Sequence, residues 1–141
     1  MKKLMSLVFV VAIAITAMAQ EKKVVEVDNQ TFDFGTVQEE VGKITHVFNF
    51  KNISVTPLSL KSVKASCGCT TPQWSKEPVA PNKVAEITVT YNTIGRPTAF
   101  HKSVTIVFTD GTADYTEVVF IKGVVTPKAT TAVPASQPEN K

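Results

Sequence analysis

Apolar and polar residues alternate with a period of two through the middle of the chain. Between residues 44 and 51, one parity carries the residues that a buried face would use, and the other parity is mainly polar. The first set consists of Ile44, His46, Phe48 and Phe50. This alternation predicts a β-strand of a sheet with one buried side, and it places His46 towards the interior.

The same period returns in two further segments. One apolar set is Ala85, Ile87, Val89 and Tyr91, and the other is Val104, Ile106 and Phe108. After the turn signal Asp110-Gly111, a nearly continuous apolar run from 115 to 125 predicts a long return strand. Because this run barely alternates, we expect it to be covered on both sides or to form a partner-facing edge.

A change of phase interrupts the segment from 58 to 67. Leu58 and Leu60 share one parity, whereas Val63 and Ala65 share the other, which predicts a β-bulge near Lys61 and Ser62. Proline residues are expected between the strands, at positions 57, 72, 78, 81 and 97. Six or seven short strands of this kind predict an all-β fold, an immunoglobulin-like β-sandwich of about seven strands.

The two ends of the chain differ from this middle part. Residues 1–19 combine two lysines, an apolar run and Ala17-Met18-Ala19, which predicts a secretory signal peptide cleaved after Ala19. Residues 20–126 then form the β-sandwich domain, and residues 127–141, rich in Pro, Thr and Ala, predict a flexible tail. No cysteine stands directly after the cut and no second apolar run occurs downstream. We therefore expect an exported protein of the periplasm or the extracellular space that is not a lipoprotein and has no membrane span in its mature form.

Charge argues against a nucleic-acid partner. The whole chain has a net charge of +3, but Lys2 and Lys3 belong to the predicted signal peptide, which leaves 13 basic against 12 acidic residues. A mature protein with so little net charge and no basic stripe lacks the electrostatic footprint of a nucleic-acid-binding protein.

Four sequence blocks, spread over nearly the whole domain, resemble the DUF1573 family. They are FDFGTV at 32–37, THVFNFKN at 45–52, ASCGCTTP at 65–72, and VTYN at 89–92 followed by GRP at 95–97. The resemblance implies an exported bacterial protein of a type common in Bacteroidetes, with an Ig-like fold related to sperm-protein and cilia-associated modules. The family's function is undefined, so the resemblance supplies no catalytic residues.

Cys67 and Cys69, separated by Gly68, are the only cysteines. On a regular strand their Cβ atoms would lie about 6–7 Å apart, too far for a disulfide, so a bond between them requires a bend that Gly68 can supply. The resulting ring would be small and easily reduced. Three interpretations remain open: a structural or labile disulfide, a soft-metal site for copper or zinc, and inert or intermolecularly paired thiols.

A metal site would need ligands beyond the cysteine pair, and the histidines are the strongest candidates. His46 is the one that shares a parity with the expected core, so a site of Cys67, Cys69 and His46 is the metal hypothesis, with a buried, hydrogen-bonded His46 as its alternative. His101 has the opposite parity to Val104 and is expected on the surface beside Lys102. No cofactor is otherwise expected.

The chain shows none of the motifs that would indicate an enzyme: no phosphate-binding glycine loop, no paired carboxylates, no nucleophile elbow and no Cys-x-x-Cys. Trp74 is expected to close one end of the sandwich or to contact a partner. The leading hypothesis is therefore a non-catalytic interaction or scaffolding module for another exported or cell-envelope protein. The alternative is a thiol-redox or copper-handling protein that uses Cys67 and Cys69.

Overall fold

A computed structural model describes residues 22–129 of the chain. Within them lie eight strands and one short 3-10 helix, η1, between β2 and β3. Their bounds are β1 Val25–Val27, β2 Thr31–Gln38, η1 Glu39–Val41, β3 Lys43–Asn52, β4 Ser59–Ala65, β5 Thr70–Trp74, β6 Val84–Asn92, β7 Ala99–Thr109 and β8 Asp114–Thr126. The predicted signal peptide and residues 130–141 of the predicted tail lie outside the described residues.

The strands form two four-stranded sheets, which confirms the predicted all-β sandwich. The first sheet has the order β1-β3-β6-β5 and the second has the order β2-β8-β7-β4. All pairings between these strands are antiparallel except that of β2 with β8, which is parallel. The described part has eight strands rather than about seven, because β1 and β5 are too short to show a clear period.

The core lies between the inner faces of the two sheets and follows the predicted parities. Phe48, Phe50, Ile87, Val89, Val104 and Ile106 are all buried. Phe50 of the first sheet contacts Phe108 of the second, with ring centroids 5.5 Å apart. Burial of such apolar side chains from both sheets is the main contribution that holds the sandwich together.

β8 differs from its expected position. It is a central strand with β2 on one side and β7 on the other, and it is neither covered on both faces nor an edge. Its inner face carries Val119 and Ile121, which are buried, whereas Val124 on its outer face is exposed. The apolar run is continuous because the outer face also carries partly exposed apolar residues.

Each open edge of the described sheets has a feature that hinders pairing with another strand. β1 has only three residues. In β2, the register with β8 shifts between Asp33 and Thr36, around Gly35. In β4, the register with β7 shifts between Leu60 and Ser62, which confirms the predicted bulge.

Pro72 lies inside β5, and this corrects the expectation that it lies between strands. Pro72 pairs with Val89 inside the strand. The backbone N–H of Asn92 donates to the carbonyl oxygen of Cys69 at 3.0 Å, so alternation along the ladder turns the nitrogen of Pro72 towards the open edge. A proline is tolerated at that position because no hydrogen bond to β6 is lost.

Over residues 22–129, no helix has the length and apolar character that crossing a membrane would require.

Candidate functional site

The two cysteines lie in the turn that carries the chain from the second sheet to the first. Before the turn, the N–H of Ser66 donates to the carbonyl of Ser103 in β7; after it, Cys69 is hydrogen-bonded to Asn92 in β6. The N–H of Thr70 closes a β-turn on the carbonyl of Cys67 at 3.3 Å. This turn brings the Cα atoms of Cys67 and Cys69 to 5.3 Å, and the structure joins their sulfurs in a disulfide. The bond therefore lies at the crossover between the two sheets.

Gly68 contributes to this turn in a different way from the one expected. It is not among the residues with a positive φ, which include Gly35 and Gly42. No atom lies within 4 Å of the position that a Cβ at Gly68 would take. A β-turn therefore makes the bend that the sequence assigned to the conformational freedom of Gly68.

Thr70 places a hydroxyl group beside both sulfurs. Its side chain is buried, and its Oγ1 lies 3.6 Å from the Sγ of Cys67 and 3.8 Å from the Sγ of Cys69. A hydroxyl donates to a thiolate more strongly than to a disulfide sulfur, because the charged acceptor strengthens the hydrogen bond. Thr70 is thus positioned to stabilise whichever sulfur carries negative charge after reduction.

Cys69 lies between two open clefts that carry basic residues. One cleft, of about 370 Å³, is also lined by Arg96 and Lys102. The other, of about 320 Å³, is also lined by Gly68 and Lys43. No aspartate or glutamate is among the described residues that line either cleft. Cys69 therefore has basic side chains in both of the clefts that it lines, and both clefts open to solvent.

A network of hydrogen bonds fixes the loop that follows β6. The buried hydroxyl of Thr93 donates to the carbonyl oxygens of Glu39, at 2.8 Å, and of Gly42, at 3.0 Å. The N–H of Gly95 donates to the carboxylate of Glu39 at 2.7 Å. The guanidinium of Arg96 donates to the backbone carbonyl oxygens of Asn92, at the end of β6, and of Ile94. These bonds hold loop 93–98 against η1.

Two large apolar side chains stand exposed on this fixed framework. Val41, at the end of η1, is 56% exposed, and Ile94 is 60% exposed. Ile94 reaches over Gly42, where an added Cβ would lie 3.6 Å from its Cδ1. Register places these residues at the end of the sandwich that also holds the cysteines, because Lys43 pairs with Asn92 and Thr70 pairs with Tyr91. We call this region, formed by residues 39–43, 66–70 and 92–98, the disulfide end.

His46 lies in the aromatic layer between the sheets. Its ring stacks on Phe32 of β2 with centroids 3.6 Å apart and meets Phe48 edge to face at 4.7 Å. Burial lowers the pKa of His46 below its ordinary value. No group of three metal-ligating side chains occurs among residues 22–129, and Cys67 and Cys69 offer no thiolates while they are bonded to each other. Binding of copper or zinc by these residues stays a prediction for the reduced protein.

Trp74 lies at the last position of β5, half-buried against the core. With Leu60, Pro78 and Val79 it lines an open groove of about 580 Å³ beside the start of β4 and the end of β5. This groove lies at the opposite end of β5 from the cysteines, since Trp74 pairs with Ile87. Trp74 and the disulfide thus belong to separate regions, and a partner contact at Trp74 stays a prediction.

The basic residues that line the clefts beside Cys69 were not identified from the sequence. Lys43, Arg96 and Lys102 come from three separate parts of the chain and meet only through the pairing of the strands. To predict that these residues meet, one would have to know the register of β3 with β6 in addition to the positions of the strands. His101, by contrast, is exposed as expected and stacks on Phe120 with ring centroids 5.1 Å apart.

The model of a family described as "Protein of unknown function (DUF1573)" matches residues 25–125. None of the curated proteins matches the sequence. Among solved structures, similarity extends to a protein of unknown function from Porphyromonas gingivalis W83, with 15% identity, a TM-score of 0.59, and coverage of 72% of this chain and 46% of the other. The VesB protease of Vibrio cholerae is similar with 12% identity, a TM-score of 0.62, and coverage of 72% and 32%.

WR4, an MSP family member of C. elegans, is similar with 14% identity and a TM-score of 0.52; 74% of this chain and 99% of WR4 are covered. The chain spans less than half of the length of the Porphyromonas and Vibrio proteins that it matches. At these identities the similarities show the fold, and they agree on a two-sheet sandwich.

Proposed function

The chain belongs to the DUF1573 family, and from this premise we propose that it is an exported, non-catalytic interaction module that binds another exported or cell-envelope protein through its disulfide end. The family description assigns no role, and fold similarity alone carries none. Support for the proposal comes from the surface of the described domain.

The observation that carries the proposal is the rigid display of Val41 and Ile94. Exposed apolar side chains in mobile loops lose conformational entropy when a partner orders them. Here the hydrogen bonds of Thr93 and the contact of Gly95 with Glu39 already hold both segments in place. A partner that covers the two side chains would gain apolar burial with little ordering cost, which is the general property of a preorganised binding site.

The edges of the sheets support the same choice of surface. Addition of a partner strand requires an open edge with a continuous row of backbone donors and acceptors. β5 lacks a donor at Pro72, β4 bulges near Lys61, and β1 has only three residues. Loops at one end of the sandwich remain as the contact surface, as in other Ig-like domains.

Site-specific photocrosslinking in the native cell tests the proposal. A photoreactive amino acid at position 94 should yield a discrete crosslinked species in the envelope fraction. The same amino acid at position 55 should not, because Val55 is 89% exposed but lies in the loop after β3, at the other end of the domain. Val41→Asp should remove the species formed from position 94, because it places a charge in the buried contact. Equal crosslinking from positions 94 and 55, or no effect of Val41→Asp, would contradict a binding site at the disulfide end.

A further inference from the structure

We infer that the Cys67–Cys69 disulfide is a thiol-exchange site, which oxidises a dithiol carried on an acidic segment of another protein and releases Cys69 as the first leaving group. This activity goes beyond the interaction module and does not depend on Val41 or Ile94. It rests on the access, the charge and the hydrogen bonding around the two sulfurs.

Access is the first requirement for exchange, because an incoming thiolate must reach a sulfur atom. Cys67 and Cys69 are half-buried, and Gly68 between them is exposed. Part of Cys67 is open to solvent, so a thiolate can reach it, and the two clefts beside Cys69 leave space for the chain that carries that thiolate. Exposed disulfides are more labile than enclosed ones, and this disulfide lies in a partly exposed turn.

Charge distinguishes the two sulfurs. Lys43 lines one of the clefts beside Cys69, and Arg96 lines the other, while neither cleft is lined by Cys67. Nearby cations stabilise a thiolate, and a thiol of lower pKa leaves faster in exchange. Cys69 is therefore the better leaving group, and Cys67 is the sulfur that the incoming thiolate attacks.

The exchange takes place in two steps. A partner thiolate bonds to the Sγ of Cys67, the Cys67–Cys69 bond breaks, and its electron pair stays on Cys69, where the hydroxyl of Thr70 donates to it. A second partner thiolate then attacks the partner sulfur of the mixed disulfide and releases Cys67. The partner dithiol loses two electrons and becomes a disulfide. Cys67 and Cys69 gain these electrons and take up the two protons that the partner thiols released on ionising.

The same cations select the substrate. A thiol with acidic neighbours is attracted into clefts lined by Lys43, Arg96 and Lys102, and the attraction weakens with salt because these groups are near solvent. The substrate class is thus a dithiol on an acidic protein segment, and small charged thiols reproduce its first step.

Reduction rates of the oxidised mature chain test the charge argument. The probes are 2-mercaptoethanesulfonate, an anion, and cysteamine, a cation, with each rate divided by its thiolate fraction. At low salt the anionic thiol should react at least about threefold faster, and 0.5 M NaCl should remove most of the difference. Lys102→Gln should slow the anionic probe, whereas Lys51→Gln should not, since Lys51 is exposed at the far end of β3. Equal rates, or a faster cationic thiol, would overturn the inference.

The position of the first adduct gives a second measurement on the unmodified sequence. Acid quenching after brief reaction with the anionic thiol, followed by alkylation and peptide mapping, should find the adduct mainly on Cys67 and the alkyl group on Cys69. An adduct mainly on Cys69 contradicts the assignment of the leaving group. Because the probes are small thiols, this result is independent of whether a protein binds at Val41 and Ile94.

Discussion

Two glycines, Gly123 and Gly68, should differ sharply in their tolerance of a methyl group. A Cβ at Gly123 would lie 2.9 Å from both the carbonyl oxygen of Gly35 and the ring of Phe100, whereas one at Gly68 would meet nothing within 4 Å. We expect Gly123→Ala to lower the free energy of unfolding by about 1–3 kcal/mol through overpacking, and Gly68→Ala to leave it nearly unchanged with the disulfide intact. Urea denaturation and intact mass provide the measurements; a disulfide lost in Gly68→Ala would show that the turn needs glycine.

Phe50 should be among the residues most sensitive to truncation. Its side chain is fully buried between the sheets and contacts Phe108. Phe50→Ala should reduce the free energy of unfolding by about 3–5 kcal/mol, because apolar burial is lost and a cavity remains. Thr88→Ala, on the opposite parity of β6, should change it by about 0.5 kcal/mol. Similar losses for the two variants in denaturant titrations would mean that the faces of the strands are assigned wrongly.

His46 should make stability depend on pH in the mildly acidic range. Burial lowers its pKa in the folded state below the unfolded value of about 6.5, so the unfolded chain binds more protons there. The contribution of His46 to the free energy of unfolding should therefore be greatest above pH 6.5. It should fall as the pH drops from 6.5 towards the pKa of His46 in the folded state. Thermal unfolding between pH 7 and pH 5 measures this slope, and His46→Phe should reduce it.

The control for this prediction is His101→Gln, which changes an exposed residue and should keep the slope. Hydrogen bonds lower the pKa values of Asp33, Asp110 and Asp114, so the stability that these carboxylates contribute is lost at lower pH, below about 4. An unchanged slope in His46→Phe would assign the pH dependence to other groups.

For single residues, the buried positions were predictable from the sequence, whereas the environment of the cysteines was not. Parity alone identified Phe48, Ile87 and Val104 as core residues, because a strand places every second side chain on the same face. The cations around Cys69 depend on which strands are neighbours, and a period of two contains no information about neighbours.

Among the elements, β5 tests how the edges are protected. Pro72 removes a backbone donor from its open edge, and Pro72→Val should restore that donor and favour pairing of β5 between two molecules. We expect concentration-dependent association of Pro72→Val in sedimentation velocity, with the wild-type chain as reference. Pro97→Val, in the loop before β7, is the matched control and should not associate. A monomeric Pro72→Val at high concentration would contradict the role of Pro72 in preventing β5 from pairing with a second molecule.

The elements that were predicted and the ones that were missed differ in length and composition. The bulge in β4 was visible because Leu60 and Val63 break a period that was otherwise clear. β1 and β5 were hidden, since three residues show no period and Pro72 indicates a break between strands. The central position of β8 was missed because its outer face carries Val124, which makes a half-exposed strand look buried.

For the whole molecule, export stays a prediction, and its evidence lies outside the described residues. Intact mass of the protein recovered from the cell envelope or medium should correspond to a chain that begins at Gln20, with a mass two hydrogens below that of the dithiol. A chain that retains Met1 would contradict cleavage after Ala19.

About one copper or zinc ion per chain in native mass spectra, lost in Cys67→Ser, would instead favour the metal-binding hypothesis.

The parallel pair of β2 and β8 sets the order in which this chain can complete its fold. The side chain of Thr126 reaches the carbonyl of Val37, 89 positions earlier, so the first long strand is joined by the last one. During synthesis, β2 has no neighbouring strand in its sheet until β8 has emerged. Contacts so distant in sequence also fold slowly. For the export that residues 1–19 predict, such slow completion would keep the chain unfolded until it reaches a translocation channel, and an unfolded chain is what such a channel would have to pass.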